Sequence, residues 1–388
     1  MVDSPHIPDA RDYFASNAAR KRLRARHRAQ WRLKAYGLLA IGLAALALAA
    51  LLGSVFSKAT GALTESYVTL PITLDAAKLD PTGSGDPKTI LRADFAGLTK
   101  KALKSRFSDI KGRKVKRQLY DLVSGGASFE LAAKVAAQPD LLGQTIAFRF
   151  LASDITDLYL KGAYGRLERT PPQGRLSVTV DSGTAVLASS APDFLASMML
   201  IKKGLLTKAA TLRRQAARQD VGAREYARRA EAASSEAERA RNDALAQSAG
   251  RARDGLLAQA ADLKQRATQT DGTEVLDRDT PSVLVKAAGG WIKLTQISPT
   301  GAQGTVFAPP SAPVHDSADW VILTDRMPEA ARKISDHQIV WIEQLREAGA
   351  VSTIFNWRFF TASDSREPEL AGIRGAAVGS FWTMLVTF

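Results

Sequence analysis

The sequence of 388 residues contains no cysteine and only four histidines. Without cysteine the chain can form no disulfide, no thiolate metal site and no cysteine nucleophile. No two histidines have the spacing of a metal-ligand pair on a helix, so a histidine-rich zinc enzyme is not indicated. The four are His6, His27, His315 and His337.

Motifs of known catalytic sites are also missing. The chain has no glycine-rich phosphate loop of the Walker type, no Gly-x-Ser-x-Gly or His-Glu-x-x-His motif, and no calcium-binding loop. Carboxylates are paired at 277–279 and 364–367, but within short charged runs that are typical of salt-bridged surfaces. Arg149 and Arg166 could each contact an anion such as phosphate, although isolated arginines favour a solvated surface. We therefore predict no catalytic, cofactor-binding or metal-binding residue, and a protein that is not an enzyme.

Charge is absent from one long segment near the N-terminus. The 23 residues from Ala35 to Ser57 are uncharged and mostly leucine and alanine, which is enough to cross ~30 Å of hydrocarbon as a helix. The 34 residues before them carry nine basic and three acidic side chains, a large part of the chain's net charge of +14. A secretory signal peptide has a shorter apolar core and a shorter basic lead. The pattern therefore predicts an uncleaved transmembrane helix.

The basic leader also predicts the orientation of that helix. Basic residues that precede a span stay in the cytoplasm, and Trp31 and Tyr36 suit the membrane interface. The cluster Arg20–Arg28 could instead bind nucleic-acid phosphates, but the span beside it favours a role in topology, and we expect no nucleic-acid partner. The predicted topology therefore has the N-terminus in the cytoplasm and residues 58–373 outside the cytoplasm.

A second apolar segment closes the sequence. The 14 residues after Arg374 are uncharged, which is too short to span a bilayer and too apolar for a solvated tail. We expect the start of a second transmembrane helix, cut off at Phe388, and hence a fragment of a longer protein.

Period-2 alternation directly after the anchor predicts a β-strand. Val68, Leu70, Ile72 and Leu74 alternate with more polar residues, and Pro71 restricts such a strand to the edge of a sheet. Residues 93–138 follow as short amphipathic helices broken by glycines and a proline, and residues 174–189 have the form of a β-hairpin.

The stretch from Thr207 to Gln269 differs from everything around it. It lacks proline and is rich in alanine and arginine, a composition that favours helix. Its large aliphatic residues keep no heptad, so a leucine-zipper dimer is not indicated. Either one very long helix or an antiparallel hairpin fits, and a hairpin would reverse near Ser234–Ser235 or Asn242.

Strand patterns return after this stretch, so the helical insertion divides two β-rich halves that could share one sheet or small barrel. A last helix begins at Ser335, where Gln338 completes a capping box, and ends at Gly349. The fold class is therefore α+β, membrane-anchored, with a helical insertion. The predicted division is 1–34 leader, 35–57 transmembrane helix, 58–206 extracytoplasmic α+β region, 207–270 helical insertion, 271–373 β-rich region with the capped helix, and 374–388 start of a second transmembrane helix.

Residues 355–381 resemble the beginning of the membrane domain of PstA-type permeases, subunits of the bacterial phosphate ABC importer. The resemblance lies in Asn-Trp-Arg-Phe-Phe at 356–360 and in Ala-Gly-Ile-Arg-Gly-Ala-Ala-Val-Gly-Ser-Phe at 371–381. A subset of these permeases is similar over the whole length: a basic leader, one anchor helix and a large extracytoplasmic domain of unknown function. Leu-Leu-Gly-Gln-Thr at 141–145 also matches that group.

The resemblance implies a permease subunit of an ATP-binding-cassette importer for inorganic phosphate, located in the bacterial inner membrane with residues 58–373 in the periplasm. It implies three partners, namely a second permease, a cytoplasmic ATPase and a periplasmic phosphate-binding protein. The extracytoplasmic domain would then serve assembly or contact with the binding protein. Transport residues belong to later helices of such permeases, so none is assigned to this sequence.

A different class fits the same layout. A helical hairpin between β-rich segments, anchored by one N-terminal helix, is also the arrangement of periplasmic adaptors such as the membrane-fusion proteins of efflux systems. That alternative predicts self-association through the hairpin. An anchored enzyme is less well supported, because no constellation of site residues is present.

Overall fold

The uncharged N-terminal segment lies within one continuous helix, α1 (Asn17–Ala59), followed by a 3₁₀ turn (Thr60–Leu63). The computed structural model describes residues 17–107, 110, 112–269 and 272–388, with side chains from residue 30 onward except that of residue 58. The first 16 residues of the predicted leader lie outside this range, and its remainder is helical. Among the described residues one helical stretch, Gln30–Leu63, is long and apolar enough to cross a membrane, and its most apolar part contains no buried residue.

The chain divides into two units, residues 1–64 and 65–388. The second unit begins in a three-stranded sheet with the strand order β11-β1-β2. Its strands are β1 (Thr64–Thr73), β2 (Thr145–Leu151) and β11 (Val351–Phe355). The predicted alternation along β1 is confirmed, because all four apolar residues are buried. The partner β2 was not predicted, although its Ile146, Phe148 and Phe150 repeat at the same period of two.

The prediction that Pro71 makes β1 an edge strand is wrong, since β1 is the central strand of its sheet. The nitrogen of Thr69 donates to the carbonyl of Ala350, at the beginning of β11. Alternate residues of a strand direct their amides to the same side, so the nitrogen of Pro71 faces that side as well. β11 begins at Val351, opposite the region of Thr69, so no residue of β11 lies opposite Pro71. The missing N–H of Pro71 therefore costs the sheet no hydrogen bond.

Short helices cover the three-stranded sheet, as the glycine and proline breaks in residues 93–138 predicted. Gly112, with φ of +87°, precedes one of them, and Pro139 follows another. Their apolar residues form a single core with those of β1 and β2. The helices before and after β2 are α2 (Ala76–Leu79), α3 (Pro87–Leu91), α4 (Phe95–Arg106), α5 (Arg113–Tyr120), α6 (Ala127–Ala137) and α7 (Asp154–Leu160).

The β-rich segments on both sides of the helical insertion share one eight-stranded antiparallel sheet, as the sequence suggested. Its order is β3-β10-β7-β8-β9-β5-β4, with β6 paired to β8. The predicted hairpin at 174–189 is β4 and β5, joined by a two-residue turn in which Ser182 and Gly183 have positive φ. The strands are β3 (Glu168–Thr170), β4 (Leu176–Asp181), β5 (Thr184–Ser189), β6 (Glu274–Val275), β7 (Ser282–Ala287), β8 (Gly290–Ile297), β9 (Gly301–Ala308) and β10 (Trp320–Asp325).

The helical insertion is an antiparallel hairpin of α8 (Leu195–Glu231) and α9 (Glu236–Thr268). Ser235 caps α9, so the reversal falls at the first of the two predicted positions, and Asn242 lies inside the helix. Buried alanines pack the helices closely, and Arg253 pairs with Asp220 across them at 2.9 Å. At ~1.5 Å per residue the helices are ~56 and ~50 Å long.

The hairpin begins earlier than residue 207, the predicted boundary. Met198, Ile201 and Leu205 belong to the core of the eight-stranded sheet. These residues lie three to four apart, so they form one apolar stripe that extends the helix over the sheet. The alanine-rich composition indicated helix only from residue 207 onward, which is the part of α8 that leaves this core.

The last predicted helix, α10 (Asp336–Glu347), connects the two sheets. Both hydrogen bonds of its capping box are present, and Gly349, with φ of +68°, follows its end. Ile339 and Ile342 pack into the core of the three-stranded sheet, whereas Val340 packs with Leu284 and other residues of the eight-stranded sheet. The helix is therefore buried on two sides. Beyond β11 the chain forms α11 (Arg358–Thr361), a 3₁₀ turn (Pro368–Leu370) and α12 (Arg374–Thr387).

Candidate functional site

Exposed aromatic side chains follow β11, within the segment on which the resemblance rests. Phe355 lies at the end of the strand and contacts Trp357 and Phe360, with ring centroids 4.9 and 6.0 Å apart. Phe359 packs edge-on against Phe360 at 5.1 Å. We refer to these four residues as the aromatic cluster. The side chain of Trp357 is 70% exposed, so the aromatic cluster presents apolar surface that nothing in the described part of the chain covers.

Arg358 fixes the aromatic cluster to the domain. Its guanidinium lies 2.5 Å from Glu130 on α6 and 3.5 Å from Glu65 on β1. The hydroxyl of Tyr67 donates to the other oxygen of Glu65 at 2.9 Å. Burial raises the pKa of Tyr67, so that side chain remains a neutral donor. The segment after β11 is thus tied by charge to the strand that follows the candidate membrane helix.

The helix α12 has no buried side chain. Val378, Phe381, Trp382 and Leu385 are each about half exposed or more, although the helix is apolar on every face. Helices that are apolar on every side are ordinarily buried in a protein core or in a membrane, whereas α12 buries no side chain against the described part of the chain. Its 14 residues extend ~21 Å, less than the ~30 Å of a hydrocarbon core.

A second group of functional-type residues is buried where the eight-stranded sheet meets the start of α10. The guanidinium of Arg332 is fully buried and donates to Asp325 at 2.8 Å and to Asp336 at 2.5 Å. The hydroxyl of Ser282, on β7, accepts from Arg332 and donates to Asp336, at 2.8 and 2.9 Å. Lys293 contacts Asp336 and lies 2.9 Å from Glu329. Arg332, Asp325, Asp336, Lys293 and Glu329 constitute the ion-pair centre.

The pKa values of the two aspartates of this centre are shifted in opposite directions. Burial opposes the charged form of Asp336, but Arg332 and Lys293 together outweigh it, and the pKa of Asp336 is lowered. Burial raises the pKa of Asp325, and Arg332 offsets this only in part. Because each carboxylate is already engaged by a buried cation, the arrangement holds structure together and leaves no free acid or base in the centre.

His337 lies beside the ion-pair centre and stacks on Phe307, with ring centroids 3.7 Å apart. Burial, and then the positive charge of Lys293, lowers the pKa of His337 below its usual value of 6.5. At a pH between the lowered value and 6.5, the unfolded chain binds a proton at this residue that the folded chain does not.

The free energy of unfolding should therefore fall as the pH decreases below 6.5. Replacing His337→Phe keeps an aromatic ring on Phe307 and should flatten this dependence. The measurement is urea unfolding of the full chain at pH 7.5 and pH 5.5. The exposed His315→Phe serves as the matched control, and an unchanged pH dependence in His337→Phe would contradict the prediction.

The residues that the sequence singled out are not brought together. Arg149 lies over the ring of Tyr67 at 5.8 Å, whereas Arg166 lines a cleft beside α10. In the charged run at residues 277–279, the carboxylate of Asp279 pairs with the ammonium of Lys208 at 3.0 Å, consistent with the predicted salt-bridged surface. Among the described residues no three histidine or carboxylate side chains are grouped so that they could hold a metal ion.

Sequence reasoning missed the ion-pair centre. Arg332 and Asp336 are four residues apart, which was a local signal, but Asp325, Lys293 and Ser282 come from three separate strands. Their proximity depends on the strand order, and no local pattern contains it.

Comparison with known families gives one match. Residues 20–169 match a family described as "Domain of unknown function (DUF3333)", which is less than half of the chain. The match runs from within α1 to β3 and stops before the α8–α9 hairpin. No curated protein and no solved structure matches the chain.

Proposed function

We propose that this protein is a membrane-anchored subunit of a bacterial phosphate importer, the N-terminal part of a PstA-type permease. In this proposal α1 crosses the inner membrane with its N-terminus in the cytoplasm, and residues 58–373 lie in the periplasm. The periplasmic domain serves assembly or contact with the phosphate-binding protein. The other partners are a second permease and a cytoplasmic ATPase.

The observation that carries the proposal is the exposed apolar surface of the aromatic cluster and of α12. Residues 355–381, which bear the resemblance to the beginning of a permease membrane domain, contain the aromatic cluster and the first eight residues of α12. Every side chain of α12 is exposed, which supports a lipid or helix partner around it. Aromatic residues are enriched where a chain passes from water into lipid, which supports the aromatic cluster as an interfacial anchor. The proposal takes α12 as the first part of a second span.

The proposed topology can be tested directly, because the chain has no cysteine to give background labelling. Ser234→Cys places a thiol at the exposed tip of the hairpin, and Ala10→Cys places one in the leader. With a membrane-impermeant maleimide, spheroplasts should label Ser234→Cys, whereas Ala10→Cys should label only after the membrane is permeabilised. The reverse pattern, or equal labelling of both before permeabilisation, would contradict the proposed orientation.

A role in phosphate import needs a separate experiment. The gene that encodes this chain is replaced on the chromosome by a version lacking residues 66–366, and uptake of radioactive phosphate is measured. Loss of most of the uptake, restored by the unaltered gene, is the expected result. Unchanged uptake with unchanged assembly of the importer would overturn the idea that the periplasmic domain serves import.

One observation favours the adaptor alternative, and it concerns the hairpin. Both helices connect to strands of one sheet, and the part of α8 that leaves its core, residues 207–231, projects for ~38 Å with mostly exposed side chains. An adaptor would self-associate along this hairpin. Sedimentation of the full chain in detergent distinguishes the two functions, since a monomer at micromolar concentration contradicts the adaptor and a defined oligomer lost on deleting residues 210–262 favours it.

A further inference from the structure

A cleft of about 300 Å³ lies between α10 and the chain that connects α7 to β3. Its floor contains Trp291 and Leu323 from the eight-stranded sheet, and three arginines line it. These are Arg166, Arg169 and Arg346. Neither the proposed transport function nor the ion-pair centre involves these residues.

The indole of Trp291 is an unusual feature of this floor. The residue is 99% buried, being only 1% exposed, and its Nε1–H has no hydrogen-bond partner in the described part of the chain. Buried polar groups are nearly always paired in folded proteins, and one that is not calls for an unseen partner. An indole N–H can only donate, so that partner must be an acceptor.

The charges around Trp291 favour an anionic acceptor. Arg166 forms no ion pair within the described residues, and Arg169 is 3.8 Å from Glu347. The ammonium of Lys286 lies 5.6 Å from the centre of the Trp291 ring. The three arginines and this lysine outnumber the two carboxylates that line the cleft, Glu343 and Glu347.

Both carboxylates of the cleft are already engaged. Glu343 accepts from the hydroxyl of Tyr159 at 2.9 Å and from Arg346 at 2.8 Å. Glu347 accepts from Lys286 at 2.6 Å. They orient the cations around the floor, and within the described residues Arg166 is left without an ion-pair partner and the indole N–H of Trp291 without an acceptor.

We propose that this cleft binds a small oxyanion. The indole N–H of Trp291 and the guanidinium of Arg166 donate to its oxygens, and Arg169 and Arg346 add positive charge at the rim. Arginine provides parallel donors that match phosphate, sulfate or carboxylate oxygens. The inference is independent of whether the protein takes part in phosphate import.

A neighbouring cleft of about 480 Å³ shares Trp291 and Glu347 with the first, and Arg106 lines it instead of Arg166. This neighbour provides the matched control. Arg166→Gln and Arg106→Gln each remove one exposed positive charge from one cleft only, so their comparison decides which cleft holds the anion.

The test is fluorine NMR of the full chain in detergent, labelled with 5-fluorotryptophan. The chain has six tryptophans, and Trp291→Phe identifies the signal of interest. Sodium phosphate, sodium sulfate and sodium acetate are titrated separately at constant ionic strength made up with sodium chloride. We expect the Trp291 signal to shift and saturate with at least one of the three, and the apparent Kd to rise about tenfold in Arg166→Gln while Arg106→Gln leaves it unchanged.

The three salts separate tetrahedral from planar oxyanions. Saturation by phosphate or sulfate alone identifies a tetrahedral ligand, and saturation by acetate alone identifies a carboxylate; both support the proposal. A shift that stays linear in all three salts, or that weakens in Arg106→Gln as much as in Arg166→Gln, would overturn it.

Discussion

In the proposed topology, two arginines placed in the middle of α1 should release the chain from the membrane. In the double variant Leu46→Arg with Leu48→Arg, both charges fall inside the uncharged segment of residues 35–57. Each arginine at the centre of a span costs about 2.5–3.5 kcal/mol on insertion scales. Together they cost roughly 5–7 kcal/mol, which is enough to prevent stable insertion. The measurement is the fraction of the chain that stays in the membrane pellet after carbonate extraction.

The matched control is Leu46→Ala with Leu48→Ala, which shortens the same side chains without adding charge. Both leucines are more than half exposed, so no packed core within the described protein is lost in either variant. The control should remain in the pellet with the unaltered chain. If the arginine variant also resists extraction, α1 is not the element that holds this protein in the membrane.

Removing the guanidinium of Arg332 should destabilise the second unit, residues 65–388, by about 3–5 kcal/mol. Arg332→Met keeps most of the side-chain volume but leaves Asp325 and Asp336 buried together without their shared cation. The cost of an uncompensated buried charge exceeds that of a lost surface pair several-fold. We expect this loss in urea unfolding of the full chain in detergent, followed by tryptophan fluorescence at pH 7.

Arg175→Met is the control for this measurement. Arg175 pairs with Asp316 at 2.8 Å, the same distance as between Arg332 and Asp325. The side chains of Arg175 and Asp316 are, however, both more than half exposed. Exposed pairs contribute about 0–1 kcal/mol. Equal destabilisation by the two variants would show that burial of the ion-pair centre has no energetic consequence.

The two aspartates also predict how Arg332→Met responds to pH. The pKa of Asp336 is lowered in the folded chain by Arg332 and Lys293, so its contribution to stability is present above its unfolded pKa and is lost as the pH falls. Without Arg332 this contribution shrinks. The difference in stability between the variant and the unaltered chain should therefore narrow as the pH is lowered below 4.

The elements that the sequence determined by itself are those whose cause is local. The absence of charge over 35–57 defines the candidate membrane helix, because length and hydropathy alone decide whether a segment suits a bilayer. The capping box at Ser335 and Gln338 involves residues three apart, and the alternation along β1 follows from the geometry of one strand. The alanine content of residues 207–269 predicted helix, but one long helix and a hairpin both fitted the sequence, and only the structure decided for the hairpin.

Only the tertiary structure decided which of these elements meet. Pro71 lies in a central strand because β11 stops short of it, and β11 is nearly 300 residues away in sequence. The ion-pair centre draws on residues of β8 and β10 as well as α10. The cleft beside α10 brings together Arg166, which precedes the helical insertion in sequence, and Trp291, which follows it. Contacts of this kind depend on strand order and on the packing of α10 between two sheets. A local sequence pattern carries the propensity of one element, but the pairing of distant elements is selected by the burial of the whole core.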